Sequence, residues 1–357
     1  MKLFFATFIP GLRNIVSDVI HERLSDVVIH KLLDGAVLFE TETDYDKLNF
    51  FCFNNIFAVI SVLEEFHLEN CIKQFINKNI NLNENVIKKN SKNIRTFRIV
   101  ISNENTPAAI EPQLRTEAEK VISNISGLKV NRSLPDTEFW FLYRKEENEK
   151  SFSVFMKRLT LRSSWDKTLH KGELPPPLAW TLCRLARLSH SDTVLDPFCG
   201  YGSIPEAAMK YFHITKFIAC DNNNEAAAFT KEKFKKRKAG EFVFFQDDFV
   251  NLLSLPAEKK LNNNLFPAGK WSGADAIVTD PPWGHFKETD SGFPEKMFDV
   301  FYKLLKDNGR AVVLYANDEK FQKAASGKFN IEAAIPILLS GKKAIVFLLT
   351  KKHGFSF

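Results

Sequence analysis

The chain has 357 residues, enough for two or three domains, and its 45% hydrophobic and 26% charged content is that of a protein able to bury a sizeable core. The formal net charge of +6 is compatible with a nucleic-acid partner, and no run of 18 uninterrupted apolar residues predicts a membrane span. Five scattered cysteines without a CxxC pair speak against a disulfide framework and place the protein in the cytoplasm, and the lack of HxE with PCxxC leaves a zinc deaminase unsupported.

The opening MKLFFATFIPGLRN is interrupted by Pro10, Gly11 and Arg13 and is followed by no small-residue cleavage site, so it reads as a strand and not a leader. PGLRNIVSDVIHERL places Leu12, Ile15, Val16, Val19 and Ile20 at helical spacing. GAVLFETE is a second strand, and the stretch from Tyr45 to Phe66 reads as helix then strand. This α+β pattern predicts a first small domain over residues 1–62. Residues 79–93, rich in Asn and Lys, predict an exposed loop. IRTFRIVIS is a strand, AAIEPQLRTEAEKVISNI a helix, and TEFWFLYR a strand after the turn at Pro135–Asp136. These make a second module over 63–146, followed by a charged connector over 147–172.

From residue 173 to 357 helix and strand alternate strictly. The pairs are PLAWTLCRLARL and TVLDPF, SIPEAAMKYF and KFIACD, NEAAAFTKEKFKKR and EFVFFQD, then ADAIVTD, EKMFDVFYKLL and RAVVLYA. Such alternation predicts a doubly wound α/β sheet. The closing NIEAAIPIL and KKAIVFLLTK, joined through Ser340–Gly341, predict an antiparallel hairpin at one edge.

In an open α/β sheet, ligands bind beyond the carboxyl ends of the strands at the switch point. Asp196 stands at the first such end, and Gly200 and Gly202 let the backbone approach a ligand without a Cβ clash. The order DPFCGYG is neither GxGxxG nor a P-loop, so a phosphate cradle is not expected. Asp221 ends the next strand, placed to accept from ribose hydroxyls. Asp247 or Asp248, with Asp248 favoured, follows the third and could accept from an adenine amine. Three acids on three successive strand ends suit an adenosine with a cationic amino-acid tail, S-adenosylmethionine. Each acid taken alone could equally be a helix N-cap.

The fourth strand ends in Asp280-Pro281-Pro282-Trp283. An exocyclic amine is a poor nucleophile because its lone pair is delocalised into the ring. Acceptors that hold the NH2 turn that lone pair toward a methyl donor, and Asp280 and the Pro281 carbonyl can both do so. The two prolines stiffen the turn, and Trp283 offers a flat face for an extruded base. Positioning the amine beside the sulfonium supplies most of the rate. A C5-cytosine methylase would need a nucleophilic Cys after the prolines; Cys199, in the cofactor turn, is expected to pack only.

DPFCGYG together with DPPW resembles the class I S-adenosylmethionine-dependent methyltransferases of the amino-group type, whose fourth motif reads [DN]PP[WYF]. The wider combination resembles the THUMP-domain RNA methyltransferases over nearly the whole chain. DPFCGYGSI is the family's cofactor motif, HKGELPPPLAWTLCRLA precedes it, and FFATFIPGLRNIVSDVI, FRIVIS and RSLPDTEFWFLYR resemble the N-terminal part. The resemblance implies a Rossmann-like methyltransferase domain behind an α+β region, ferredoxin-like then THUMP-like. It implies that Leu174 and Pro175 lie over the cofactor and that Phe198 joins Asp196, Gly200, Gly202, Asp221, Asp247, Asp248 and Asp280 in its site. It further implies a cytoplasmic tRNA methyltransferase that grips the acceptor stem and 3′ end with its N-terminal module and forms N2-methylguanosine. Relatives with less proline-regular motifs, and the use of DPPW by adenine-N6 enzymes, leave the base identity open.

Basic residues that could meet phosphates are Arg95, Arg98, Arg115 and Arg132, with Lys120, Arg144, Lys145, Lys157 and Arg158, whereas residues 231–240 read as the solvated face of a helix. His170, His285 and His353 have no metal-ligand spacing, so no metal is expected; His285 is a possible RNA contact. Other readings are an adenine-N6 methyltransferase on RNA or DNA, a glutamine methylase (whose usual motif begins with Asn), a thiolation enzyme (which lacks its SGGxDS loop here) and a non-catalytic RNA-binding protein.

Overall fold

The computed structural model describes all residues except 45–47, 49, 64–66, 78–81, 89–92, 105, 146–150, 160–168, 238–240, 255–272, 284–291, 317–318 and 353–357. Two compact units result, one of Met1–Phe8 with Leu12–Arg162, the other of Ile9–Gly11 with Ser163–Phe357.

The first unit runs β1 (Lys2–Thr7), α1 (Arg13–Arg23), β2 (Val28–Leu33), β3 (Ala36–Thr41), β4 (Asn55–Leu63), α2 (Leu68–Ile76), α3 (Glu84–Lys88), β5 (Thr96–Asn103), β6 (Thr106–Pro107), α4 (Pro112–Ser126), β7 (Lys129–Val130), β8 (Thr137–Lys145) and β9 (Ser151–Arg158). All nine strands share one sheet in the order β2-β3-β1-β4-β9-β8-β5-β6, with β7 beside β5. The expected division at residue 62 falls inside this sheet, because β4 continues to Leu63 and pairs with β9. Residues 151–158, expected in the connector, are instead a strand between β4 and β8. SFSVFMKR hides its period because both faces are buried, Ser151, Ser153 and Lys157 included. Phe152, Val154 and Met156 join one core, and Phe155 joins the other. The loop expected over 79–93 contains α3, whose Val86 and Ile87 are buried beneath it together with Phe75 of α2 and Ile122 of α4.

The second unit runs α5 (Pro176–Leu185), β10 (Thr193–Asp196), α6 (Ser203–Tyr211), β11 (Lys216–Asp221), α7 (Asn224–Phe234), β12 (Phe242–Gln246), β13 (Ala274–Thr279), α8 (Phe293–Leu304), β14 (Leu305–Ala316), α9 (Glu319–Lys328), β15 (Phe329–Leu339) and β16 (Lys342–Lys351). The sheet order is β12-β11-β10-β13-β14-β16-β15. The first five of these strands are parallel, and β16 is antiparallel to both β14 and β15. The doubly wound reading therefore holds, and so does the closing hairpin: Ser340 and Gly341 carry φ of 49° and 80°, the pair of positive angles a tight two-residue turn needs. Strand order reverses between β10 and β13, which places the switch point at Asp196 and Asp280.

Candidate active site

Asp196 is wholly buried at the end of β10. Its Oδ1 accepts from the Thr279 hydroxyl at 2.7 Å and from Phe198 N at 3.1 Å. Its Oδ2 is buried with no hydrogen-bond partner among the described residues. Burial, opposed by those two donors and reinforced by the charges of Asp221 and Asp280, pushes this carboxyl up to about 8. Ionising this carboxyl unpaired would cost several kcal/mol, so it holds its proton until a cation stands against it.

The two glycines of the turn do different work. Gly202 has φ of 80°, and a Cβ there would lie 2.9 Å from Phe234 Cε2 and 3.2 Å from Thr230 Oγ1, so it allows α7 to pack. Gly200 has φ of 49°, and among the described residues nothing lies within 4 Å of a Cβ there. Its N–H donates to Asp221 Oδ2 at 2.7 Å, and Asn223 N donates to Asp221 Oδ1 at 2.8 Å, so Asp221 braces the turn while remaining partly exposed.

After β12 the two adjacent acids both shape the chain. Asp248 caps the short 3-10 turn Phe249–Leu253, accepting from Val250 N at 3.1 Å, and Asp247 Oδ1 accepts from Asp248 N at 2.8 Å and Asn251 Nδ2 at 2.9 Å. Asp248 thus fills the capping role, and the geometry does not single it out over Asp247. Leu174 is buried and Pro175 partly buried at the head of α5. Glu173 ties that segment to the turn: its Oε2 accepts from His170 N at 3.0 Å and its Oε1 from Ser203 Oγ at 3.3 Å. The His170 ring stacks on Tyr201 with centroids 4.1 Å apart.

Asp280 follows β13 and is partly buried as a residue. Its carboxyl is nonetheless pushed up to about 7 by burial, opposed by the Trp283 indole. Trp283 Nε1 donates to Asp280 Oδ1 at 2.8 Å, and the Trp283 ring packs on the core of this unit. Phe198 packs against Phe249 and Phe293 at centroid distances of 4.8 and 5.8 Å. Cys199 is buried, and burial with the charges of Asp196 and Asp221 raises its thiol well above its ordinary value, which suppresses a thiolate nucleophile.

Sequence reasoning missed Thr279, Glu173, Phe249 and Phe293. Thr279 alone carried a signal, since it is a buried hydroxyl in an apolar strand beside the motif acid. Among the described residues no group of His, Cys, Asp and Glu has a metal-binding arrangement, and no helix is long and apolar enough to cross a membrane. His285 and His353 lie outside the described residues.

Of the basic residues expected at phosphates, two are buried, and a third, Arg158, has a side chain only 8% exposed. Lys157 lies over the Phe139 ring, with burial lowering it to about 8. Arg158 pairs with Glu138 at 2.7 Å, and Arg144 is 7% exposed. These three cannot meet a backbone. Arg98 also pairs with Glu138, and Arg132 grips buried Glu119 through two bonds of 3.0 and 2.7 Å. Arg115 donates to Ile99 O at 3.3 Å, and the Arg95 residue is exposed. Of residues 231–240, 231–234 form the last turn of α7 with Phe234 buried, Lys231, Lys233 and Lys235 make surface contacts, and 238–240 lie outside the described residues.

Residues 164–337 match the family described as the RMKL-like methyltransferase domain. The matched stretch lies within the second unit. Over 227 residues the chain is 29% identical to the tRNA (guanine(10)-N2)-dimethyltransferase of Methanocaldococcus jannaschii, covering 60% of each protein. It is 27% identical over 191 residues to the tRNA (guanine(6)-N(2))-methyltransferase THUMP3 of Mus musculus, covering 49% of this chain and 35% of that one. The chain thus spans less than two thirds of either relative. Among solved structures it is similar to TrmN from Thermus thermophilus, with a TM-score of 0.77 at 20% identity over 99% of this chain and 100% of that one. The Rossmann-like class I fold expected for residues 173–357, behind an α+β region, agrees with this structural likeness.

Proposed function

We propose that the protein is an S-adenosylmethionine-dependent methyltransferase that modifies N2 of a guanosine in tRNA. The observation that carries this reading is the buried Oδ2 of Asp196, partnerless among the described residues, beside two further strand-end carboxylates, Asp221 and Asp280. A cationic amino acid tail suits Asp196, and the space the described residues leave at Gly200 suits a ligand close to the backbone. Asp221 would take the ribose hydroxyls, Asp247 or Asp248 the adenine amine, and Leu174, Pro175 and Phe198 the apolar contacts. When bound, the cofactor supplies an electrophilic methyl group on sulfur.

Asp280 and the Pro281 carbonyl would each accept one N–H of the base amine, aiming its lone pair at that methyl, and Trp283 would stack on the base. The first unit would contact the tRNA acceptor stem and 3′ end, with Arg95, Lys120 and Lys145 exposed to meet phosphates. The names of the two curated relatives, both guanine-N2 enzymes on tRNA, support this choice of amine.

The test is to incubate the protein with unmodified bulk tRNA and labelled methyl donor, digest to nucleosides and identify the product by mass spectrometry. N2-methylguanosine is the expected product; N6-methyladenosine, or no transfer, overturns the reading. Asp280→Ala is expected to abolish transfer while calorimetry still detects cofactor binding.

A further inference from the structure

A hydrogen bond inside the DPPW turn has no role in that reading. Trp283 comes after two prolines whose fixed φ stiffens the backbone, and its indole N–H reaches back three residues to Asp280 Oδ1 at 2.8 Å. The ring packs on the apolar core, so the donor is not free to swing away. Among the described residues Oδ2 of Asp280 accepts nothing, and no cation stands against this carboxyl. Asp196, on the neighbouring strand end, interacts with it and is also acidic.

We propose that Trp283 is a positioning residue for methyl transfer: its indole N–H occupies Asp280 Oδ1 so that Oδ2 alone is presented to the base amine. The inference rests on the functional reading above. A carboxyl rotates broadly about its terminal torsion, so a single fixed donor on one oxygen defines the plane of the other. Among aromatic residues able to stack on a base, only Trp combines a flat face with an N–H that donates and never accepts. The donor also favours the ionised carboxylate, the form that accepts an amine hydrogen. During transfer the amine nitrogen uses its lone pair to form the N–C bond, the C–S pair stays with sulfur, and the surplus proton on nitrogen passes to Asp280 Oδ2 and then to water. A protonated Asp280 would point an O–H at that amine and could not take the proton.

The test replaces Trp283 by Phe, which keeps a ring and removes the donor. Site-specific benzothienylalanine at 283 serves as a second variant, keeping the bicyclic shape with sulfur in place of N–H. Calorimetric binding of S-adenosylmethionine certifies that each is folded. On tRNA at pH 7, kcat is expected to fall about 10- to 100-fold, with KM little changed and activity recovering toward pH 9. The acid limb of the pH–rate profile should move up by about one unit, the scale of one hydrogen bond to a charged group.

A carboxyl titration followed by 13C NMR on aspartate-labelled protein needs no RNA and should show the same upward shift for Asp280. An unmoved Asp280 titration in the benzothienylalanine protein overturns the inference, as does an unchanged pH profile with only KM raised, which would make Trp283 a stacking wall alone. A wild-type product other than N2-methylguanosine would sink the functional reading, and the titration would still decide the role of Trp283.

Discussion

The Thr279 hydroxyl donates to Asp196 Oδ1 at 2.7 Å, and both residues are wholly buried at adjacent strand ends. β10 and β13 run parallel with Leu195 opposite Ile277, so the residue before the DPPW motif reaches the acid of the cofactor turn. The bond occupies one carboxyl oxygen and, among the described residues, leaves the other without a partner, which turns a buried acid into a directed acceptor. Thr279→Val removes the donor at nearly constant volume. S-adenosylmethionine affinity is expected to fall about tenfold, the scale of one hydrogen bond to a charged group, and Thr279→Ser to restore it. Calorimetry on the three proteins checks this; equal affinities would remove Thr279 from the site.

Asp196 and Asp280 are raised by burial from an ordinary 3.8 to about 8 and about 7. The folded, ligand-free protein therefore holds these protons more tightly than the unfolded chain does. Their contribution to stability is fully present below about pH 4 and is lost as pH rises through about 7 to 8. Melting temperature is expected to decline over that window, and Asp196→Asn to flatten part of the decline and raise the value at pH 8. Thermal unfolding across pH checks it, and an unchanged slope in Asp196→Asn would place the proton elsewhere. Binding a cationic cofactor at pH 7 should release a proton, visible as a dependence of the calorimetric enthalpy on the buffer's ionisation heat.

Gly200 and Gly202 share a motif and a positive φ but should fail differently. Gly202→Ala drives a Cβ to 2.9 Å from Phe234 and is expected to lower stability by about 1–3 kcal/mol. Gly200→Ala meets nothing within 4 Å among the described residues, so its stability cost is that of the left-handed backbone, about 1 kcal/mol. If a ligand fills that space, Gly200→Ala loses cofactor affinity out of proportion to its stability. Denaturant melts paired with calorimetry separate the two, and parallel losses in both variants would mean that Gly200 faces no ligand.

The second unit was legible because parallel strands buried on both faces read as apolar runs and the first four ended in or just before an acid. DPFCGYG and DPPW fell at the two strands flanking the switch point, as the pattern required. The first unit was less legible. β9 carries apolar residues on both faces and ends in Lys157 and Arg158, so it read as a charged connector. α3 is too short for a helical period to show. The basic residues misled for a different reason: charge is visible in a sequence, but the carboxylate that claims it is not. Glu138 lies on β8, 40 residues from Arg98 and 20 from Arg158.

That distinction separates Arg95 from Arg98. Glu138 is 5% exposed and accepts from Arg98, Arg158 and Trp140 Nε1, so it anchors three strands. Arg98→Ala strips one donor from a buried carboxylate and is expected to destabilise the first unit by about 1–3 kcal/mol. Arg95 is exposed, and although its backbone N–H caps Asp136 at 2.9 Å, that bond survives side-chain truncation. Arg95→Ala should therefore leave the melting temperature unchanged, weaken tRNA binding uniformly across sequences and lower the salt slope of the binding constant by about one. Filter binding of tRNA at several salt concentrations, beside thermal melts, checks both arms. If Arg95→Ala leaves the slope where it was, the RNA path does not cross the edge of β5.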